Sequence, residues 1–411
     1  MGCASNQKSA AYNPQEIPAD IAGIVHAGHT KTPEEYALVN RLGAHWALTT
    51  FYWSRLEPSE NQWDFEAQDL YVDTAIEAGI KIIGILAYDV PWIHHDGKTH
   101  KYIPPDKLHY YLEYVRQTVA HFRGRVDAWC IWNEPNFHFW QGSRDEFLVL
   151  ARQAADALRE ADPDVALVGG AFNRGIFGLP TKYIRGLFES GAMEKADAVA
   201  FHPYELNPAR TAALYGRFRA IATEYGFGSR IWITEVGYPT GGWYPTAIPE
   251  RKFPAYIVKT FVYLAINGTE KIVWYQLFDP HERVKGNSED FFGLVRSSRD
   301  YTSKGAEAFR LCAVHLAGTT YRPGLPRAEL PLAELPHSLR AFYFERPQGG
   351  TLVLWKDGNS TQVMLQAPGG FTVHDPVSGS SALMPAEAIV RINSTPVFVT
   401  WADGEILVKA P

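Results

Sequence analysis

Val126-Asp127-Ala128-Trp129-Cys130-Ile131-Trp132 is an apolar run set between two segments of helical periodicity, Lys107–Phe122 and Arg144–Glu160. A strand apolar on both faces, with a helix before and after it, belongs to a parallel sheet covered on both sides. The unit repeats outward in both directions. Apolar runs at Ile21–Ala27, His45–Trp53, Ile80–Ala87, Val165–Ala171, Ala196–Tyr204, Arg230–Glu235 and Lys271–Phe278 alternate with further helical patterns. Those patterns are Pro33–Leu42, Phe65–Ala78, Thr181–Ser190, Ala209–Tyr225, Phe253–Asn267 and Ser303–Ala317. Eight units in about 300 residues predict an α/β fold, the (β/α)8 TIM barrel. An open doubly wound sheet usually has fewer units and a glycine-rich first turn. No Gly-x-Gly-x-x-Gly follows Ile24.

Past Thr319 the pattern changes to proline-rich linkers and short alternating strands, with Lys356-Asp357-Gly358-Asn359 as a hairpin turn. Arg340–Glu345, Thr351–Trp355, Thr361–Leu365, Phe371–His374, Ala388–Ile392 and Pro396–Trp401 read as a C-terminal antiparallel β-sandwich. The expected organisation is therefore a flexible N-terminal tail over 1–19, a catalytic barrel over 20–318 and a β-sandwich module over 319–411. The sandwich shows no cluster of catalytic residue types.

The 411 residues are 46% hydrophobic and 13% aromatic, which excludes intrinsic disorder. Thirty-nine Lys and Arg against 45 Asp and Glu leave a net charge of −6 without a basic stripe, so nucleic acid is not expected as a partner. No apolar run is long enough for a transmembrane segment. Three cysteines do not make a disulfide framework. Cys130 and Cys312 read as buried thiols. Gly2-Cys3-Ala4-Ser5 resembles the mature end of a bacterial lipoprotein without the preceding apolar segment. Lipid attachment at Cys3 and an incidental cysteine in a polar tail are the two readings. The first places the protein at the cell envelope, as a periplasmic or outer-membrane lipoprotein, and secretion is the alternative.

A TIM barrel does its chemistry at the C-terminal ends of its strands. The fourth strand ends Trp132-Asn133-Glu134-Pro135 and the seventh ends Thr234-Glu235-Val236-Gly237. An acid closing an apolar run is costly to bury without a task or a partner. Two of them facing each other across the mouth suit glycoside hydrolysis. Carboxyl groups about 5–5.5 Å apart retain anomeric configuration and a gap of about 6.5–9.5 Å inverts it. One must hold a proton for the leaving oxygen while the other attacks.

These segments resemble the acid/base and nucleophile motifs of clan A glycoside hydrolases, in the clan's own strand order. The resemblance extends to Phe51-Tyr52-Trp53-Ser54-Arg55-Leu56-Glu57-Pro58, Phe201-His202-Pro203-Tyr204, Trp274-Tyr275-Gln276-Leu277-Phe278-Asp279 and Phe292-Gly293-Leu294, and covers about residues 20–318. Glycoside hydrolase family 39, with its β-xylosidases, iduronidases and exopolysaccharide hydrolases, is the family most similar. The resemblance implies Glu134 as acid/base, Glu235 as nucleophile and Asn133 as a hydrogen-bonding partner of the sugar 2-hydroxyl. One feature departs from the clan: strand two reads Ala47-Leu48-Thr49-Thr50, without the arginine that many members place beside the nucleophile.

His202 and Tyr204 alternate on strand six, so both could reach the mouth, with a core histidine as the other reading of His202. Trp274 is expected as the floor of a sugar site or as a core ring. Trp53, Tyr88, Trp92, Trp140, Tyr238 and Trp243 are the remaining expected substrate contacts, with Phe137, Phe139 and Tyr244 beside them on the rim. Aromatic rings in loops around one rim suit a polymer lying across several subsites. His94-His95-Asp96 with His100 lacks the spacing of a metal site, so neither a metal nor a cofactor is expected. The expected activity is retaining endo-hydrolysis of a β-linked bacterial exopolysaccharide, as in biofilm. An exo-acting β-xylosidase or β-glucosidase and a catalytically silent carbohydrate-binding protein are the alternatives. The oligomeric state is not legible in the sequence.

Overall fold

The computed structural model describes residues 15–25, 32–175, 178–242, 247–280, 282–296, 303–323 and 338–409. In chain order the first strands are β1 (Gln15–Glu16), β2 (Ala22–Val25), β3 (Trp46–Tyr52), β4 (Lys81–Ala87), β5 (Ala128–Ile131), β6 (Ala166–Asn173), β7 (Ala198–His202), β8 (Ile231–Val236) and β9 (Lys271–Trp274). The helices are α1 (Pro33–Arg41), α2 (Trp53–Leu56), α3 (Glu66–Glu77), α4 (Leu108–His121), α5 (Arg144–Ala161), α6 (Thr181–Glu189), α7 (Pro208–Glu224), α8 (Phe253–Ile266) and α9 (Ala306–Leu316). Strands β2 to β9 pair in parallel and close into a barrel, as the repeat predicted. The one-turn helix α2 was not anticipated; it immediately follows β3.

Local chemistry sets where the long helices begin. Ser143 and Glu146 form a reciprocal capping box at the start of α5, and Asn207 caps α7 ahead of Pro208. Both devices satisfy N–H groups that the first turn leaves unpaired. The apolar stripe of α5, including Phe147, Leu150, Ala154 and Leu158, is buried, as its periodicity required.

The barrel interior is filled by Leu48, Ile83, Ile85, Cys130, Val168, Ala200 and Val273, with Trp46 and Trp232 in contact at 5.4 Å between ring centroids. Asp20 lies near that end, accepting from Lys81 at 3.0 Å and Lys271 at 2.6 Å, and the two ammonium groups hold its carboxyl down near 2 against the effect of burial. The opposite end is irregular. β6 is bulged between Gly169 and Phe172, with Gly170 and Ala171 at φ of +97° and +47°. Bulges of this kind re-aim side chains at barrel rims.

Among the described residues, a second compact unit comprises Gln15–Ile17 and those from Gly318 onward except Pro376–Ser378. Its later strands are β10 (Thr320–Arg322), β11 (Leu339–Glu345), β12 (Gly350–Lys356), β13 (Thr361–Gln366), β14 (Phe371–His374), β15 (Ser381–Met384), β16 (Glu387–Ile392), β17 (Val397–Trp401) and β18 (Leu407–Lys409). A seven-stranded antiparallel sheet runs β1-β10-β11-β12-β17-β14-β15 and a three-stranded one runs β16-β13-β18. Leu352, Leu354, Val363, Leu365, Phe371, Val399 and Val408 form its core. The stretch expected as a tail to residue 19 is corrected here. Gln15 and Glu16 pair with Tyr321 and Thr320, and Ile17 is buried. Beside Thr320 and Tyr321, these few residues add an edge strand. No described helix is long and apolar enough to cross a membrane. Cys3 lies outside the described residues.

Candidate active site

Glu134 follows β5 in a turn that the backbone would not adopt unaided: Trp132 and Glu134 have φ of +64° and +45°. A non-glycine residue held there stores on the order of 1–3 kcal/mol and persists only when its surroundings fix it. Those surroundings are specific. The Glu134 amide donates to the Ala171 carbonyl at 3.0 Å, and Trp132 Nε1 donates to the Phe139 carbonyl at 2.8 Å. Asn136 exchanges two hydrogen bonds with the Asn173 backbone, at 2.7 and 3.0 Å. The bulged end of β6 therefore laces the turn in place and leaves Glu134 only 4% exposed.

Glu235 stands inside β8 and needs no such turn. Its carboxylate accepts from the Tyr204 hydroxyl at 2.8 Å. Glu134 accepts from Asn173 Nδ2 at 2.9 Å, and its Oε1 lies 2.7 Å from His202 Nδ1. The same nitrogen is 3.7 Å from Glu235, and His202 Nε2 lies 2.9 Å from the Thr234 hydroxyl. One oxygen from each glutamate and one His202 nitrogen all lie within 4.8 Å of one another. That separation suits a retaining carboxyl pair and leaves no room for the water of an inverting one.

The electrostatics follow from this crowding. Burial pushes the Glu235 carboxyl up to about 7; His202 and the Tyr204 hydroxyl pull it back, while the Glu134 and Glu289 charges push it further. Burial alone would lower the His202 imidazole, but the Glu235 and Glu134 carboxylates outweigh it and hold the ring above its usual value. Among the described residues His202 is the one ion-pair partner of either glutamate. It is the basic side chain beside the pair, where strand two carries Thr49 and Thr50 and no arginine. Glu134, His202 and Glu235 are also the one trio of possible metal ligands so close among the described residues. Both ring nitrogens of His202 are already engaged within the protein, so the ring bridges side chains.

The expected substrate contacts divide sharply. Asn133 donates from Nδ2 to the Tyr88 hydroxyl at 3.3 Å, and its Oδ1 is buried without a hydrogen-bond partner. Tyr88 is half-buried at the mouth, with Phe139 stacked on it at 5.8 Å. Tyr204 reaches Glu235. His202 is fully buried beneath the pair, the core histidine of the two readings, with both carboxylates as neighbours.

The other described residues are corrected. Trp274 is wholly buried against Phe253 of α8 and Tyr238, on the helix side of the barrel wall. Its neighbour Tyr275 packs instead on the barrel interior and lies 6.3 Å from the Tyr204 ring. Adjacent side chains of a strand point to opposite faces, so the choice of Trp over Tyr missed the site by one residue. Trp53 is buried, donates to Glu57 at 2.7 Å and stacks on Tyr114. Trp92 packs on Trp53 and donates to the Glu57 carbonyl at 3.2 Å. Tyr238 is buried with its hydroxyl between Thr211 and Thr260. Trp140 is buried among Trp132, Tyr102 and Phe147, with Nε1 on the Ser143 carbonyl. Trp243 and Tyr244 lie outside the described residues. His94 and His100 lean on Asp89 and Asp96, at 2.8 and 2.9 Å.

Trp140→Ala should accordingly cost about 3–5 kcal/mol of stability, the scale for truncating a buried tryptophan. Urea denaturation measures it. The change in activity per folded molecule should be the same for short and long substrates, since a loss confined to long ones would mark a distant subsite.

Three residues that the sequence reading did not single out complete the site. Asn173, at the end of β6, would have been found by inspecting every strand end for polar side chains. Tyr275 was one position from the residue chosen. Glu289, in the turn Ser288–Phe291, accepts from the Tyr275 hydroxyl at 3.1 Å and gave no signal in its local sequence.

Known proteins share the fold. A family model described as "Beta-galactosidase" matches residues 25–87. Endo-1,4-beta-xylanase B of Thermotoga neapolitana is 21% identical over 211 residues, 46% of this chain and 57% of that protein. The match thus spans little more than half of that relative. A family 39 glycoside hydrolase from Bacteroides cellulosilyticus WH2 superposes with a TM-score of 0.74 at 18% identity, covering 93% of this chain and 81% of its own. A monomeric beta-xylosidase from Caulobacter crescentus CB15 gives 0.64 at 13% identity, over 95% and 97% of the two chains. A family 30 subfamily 8 xylanase from Clostridium acetobutylicum gives 0.66 at 10% identity, over 97% and 98%. In barrel architecture the chain resembles the clan A glycoside hydrolases, family 39 among them.

Proposed function

We propose that the protein is a retaining glycoside hydrolase. The close approach of Glu134 and Glu235, with carboxylate oxygens no more than 4.8 Å apart, carries this reading. Ionised Glu235 attacks the anomeric carbon as the bond to the leaving oxygen breaks and Glu134 gives that oxygen its proton. Glu134, now a carboxylate, takes a proton from water, which attacks the same carbon and frees Glu235. Tyr204 holds one Glu235 oxygen in line; burial keeps its hydroxyl protonated and donating. Asn133 Oδ1, buried and unpartnered, accepts from a substrate hydroxyl. Its amide is oriented by Tyr88, so this bond is aimed before the sugar arrives.

Endo-cleavage of a β-linked bacterial exopolysaccharide is the finer reading. Half-buried Tyr88 and Phe139, with exposed Tyr52 beside Tyr88, support an open aromatic edge. The packing of half-buried Trp92 and buried Trp140 against loop side chains favours a second reading, an exo-acting β-xylosidase. Product sizing by mass on defined β-linked polysaccharides separates them: oligomers early in the reaction mean endo action, single sugars alone mean exo. The working location is the cell envelope or outside it, with Cys3 as the site to test for lipid by mass spectrometry of protein from its native host. A wild type inactive on every polysaccharide and aryl glycoside would leave the silent binding protein as the better account.

Tyr204→Phe removes the hydrogen bond that steadies ionised Glu235. The pH at which Glu235 ionises should rise, moving the ascending limb of kcat/KM to higher pH. At neutral pH the loss should be about tenfold, the worth of a hydrogen bond to a charged group. A pH profile with an activated aryl glycoside measures it.

A further inference from the structure

Three carboxylates surround the mouth, and the double displacement uses two. The third, Glu289, is solvent-accessible, yet enough protein packs around it that burial pushes its carboxyl above the usual range. It is firmly held. Tyr275 donates to Oε2 at 3.1 Å, and Gln276 Nε2 donates to the Glu289 carbonyl at 3.3 Å. Asn287 accepts from the Glu289 amide at 3.3 Å and donates to Asp290 at 2.9 Å. The segment is anchored from beneath by the buried pair Asp279–Lys304, whose ammonium also donates to the Phe291 carbonyl at 3.1 Å. Among the described residues no lysine or arginine is paired with Glu134, Glu235 or Glu289. Three described cations are engaged elsewhere: Arg174 with Glu205, Arg283 beside Asp279, and Lys101 over the Phe139 ring.

Such a site has a definite chemical preference. A pinned carboxylate facing the ligand space accepts hydrogen bonds from hydroxyl groups, and with two further carboxylates beside it repels another anion. Asn133 points to the same ligand independently, since its Oδ1 is a buried acceptor awaiting a hydroxyl donor. Resting on the hydrolase reading above, we propose that Glu289 determines specificity for the sugar bonded at its anomeric carbon to Glu235. Its carboxylate accepts from a ring hydroxyl of a neutral sugar and excludes a sugar that carries a carboxylate.

The test uses binding, so turnover is not required. Two piperidine iminosugars with identical ring hydroxyls, one bearing a hydroxymethyl group and the other a carboxylate at the ring's fifth carbon, are titrated calorimetrically. The proteins are the wild type, Glu289→Gln and Glu289→Ala. The wild type should favour the hydroxymethyl compound at least about tenfold. Glu289→Gln, which keeps an acceptor but loses the charge, should shrink that preference to a few-fold. Glu289→Ala should weaken the hydroxymethyl compound about tenfold, since a hydrogen bond to a charged acceptor is lost. An unchanged preference in Glu289→Gln, with both compounds bound by the wild type, overturns this assignment and leaves the hydrolase reading standing. Failure of both compounds to bind the wild type overturns the two together.

Discussion

Glu235→Gln should abolish turnover of every substrate, activated aryl glycosides included, by about 10⁴-fold or more, the scale on which enzymes lose activity with their nucleophile. The amide is nearly isosteric and can still accept from Tyr204, so the fold and sugar binding should survive. What disappears is the anion that forms the glycosyl-enzyme. Mass spectrometry of enzyme quenched during turnover of a slow 2-fluoro glycoside reads this directly. The wild type should gain the mass of one sugar on the peptide holding Glu235, and the variant should gain none. A labelled peptide elsewhere, or wild-type rates in the variant, would remove Glu235 from its role.

Glu134→Gln should split substrates by leaving group. Alkyl and sugar leaving groups need a proton, and their hydrolysis should fall by about 10²–10⁴-fold, the usual worth of general acid catalysis. A dinitrophenolate leaves without help, so formation of the glycosyl-enzyme from it should change little. The pH profile should respond as well. The ascending limb reports ionisation of Glu235, which burial and its neighbours push up to about 7. On that limb Glu134 is still protonated and uncharged, so the neutral amide should leave the limb close to its wild-type position. The descending limb, set by loss of the acid's proton, should vanish. Pre-steady-state kinetics with both leaving-group classes across pH provides all three readouts, and equal losses for both classes would exclude the acid role.

The barrel and the pair of glutamates were legible because both depend on patterns local to the chain. Eight apolar runs separated by helical periodicity leave few alternatives, and an acid closing an apolar run stands out at its own position. The lining of the mouth was much less legible. Trp53, Trp140 and Tyr238 have the same residue chemistry as a sugar platform, yet each satisfies its polar atom inside the protein and fills a gap between loops and helices. An indole or phenol serves either purpose, and sequence does not say which way a loop turns it. Trp274 failed for a sharper reason. The strand ends on Trp274 facing outward, and Tyr275, the next residue, takes the inward place expected of the tryptophan. Glu289 was invisible because its turn lies far along an irregular loop, and only the Asp279–Lys304 anchor brings it back to the mouth.

The pairing of β1 with β10 has a consequence for how the chain is made. Gln15 and Glu16 leave the ribosome ahead of the whole barrel, but Thr320 and Tyr321 follow roughly 300 residues later. At about 5–20 residues per second, the first strand waits roughly 15–60 s for its partner to be synthesised. Every barrel strand has emerged by then. The barrel can close with the N-terminal strand still unpaired, and the smaller unit cannot be completed until the larger has been translated. Chains released before residue 320 would keep that strand edge exposed, offering unpaired backbone groups to other nascent chains.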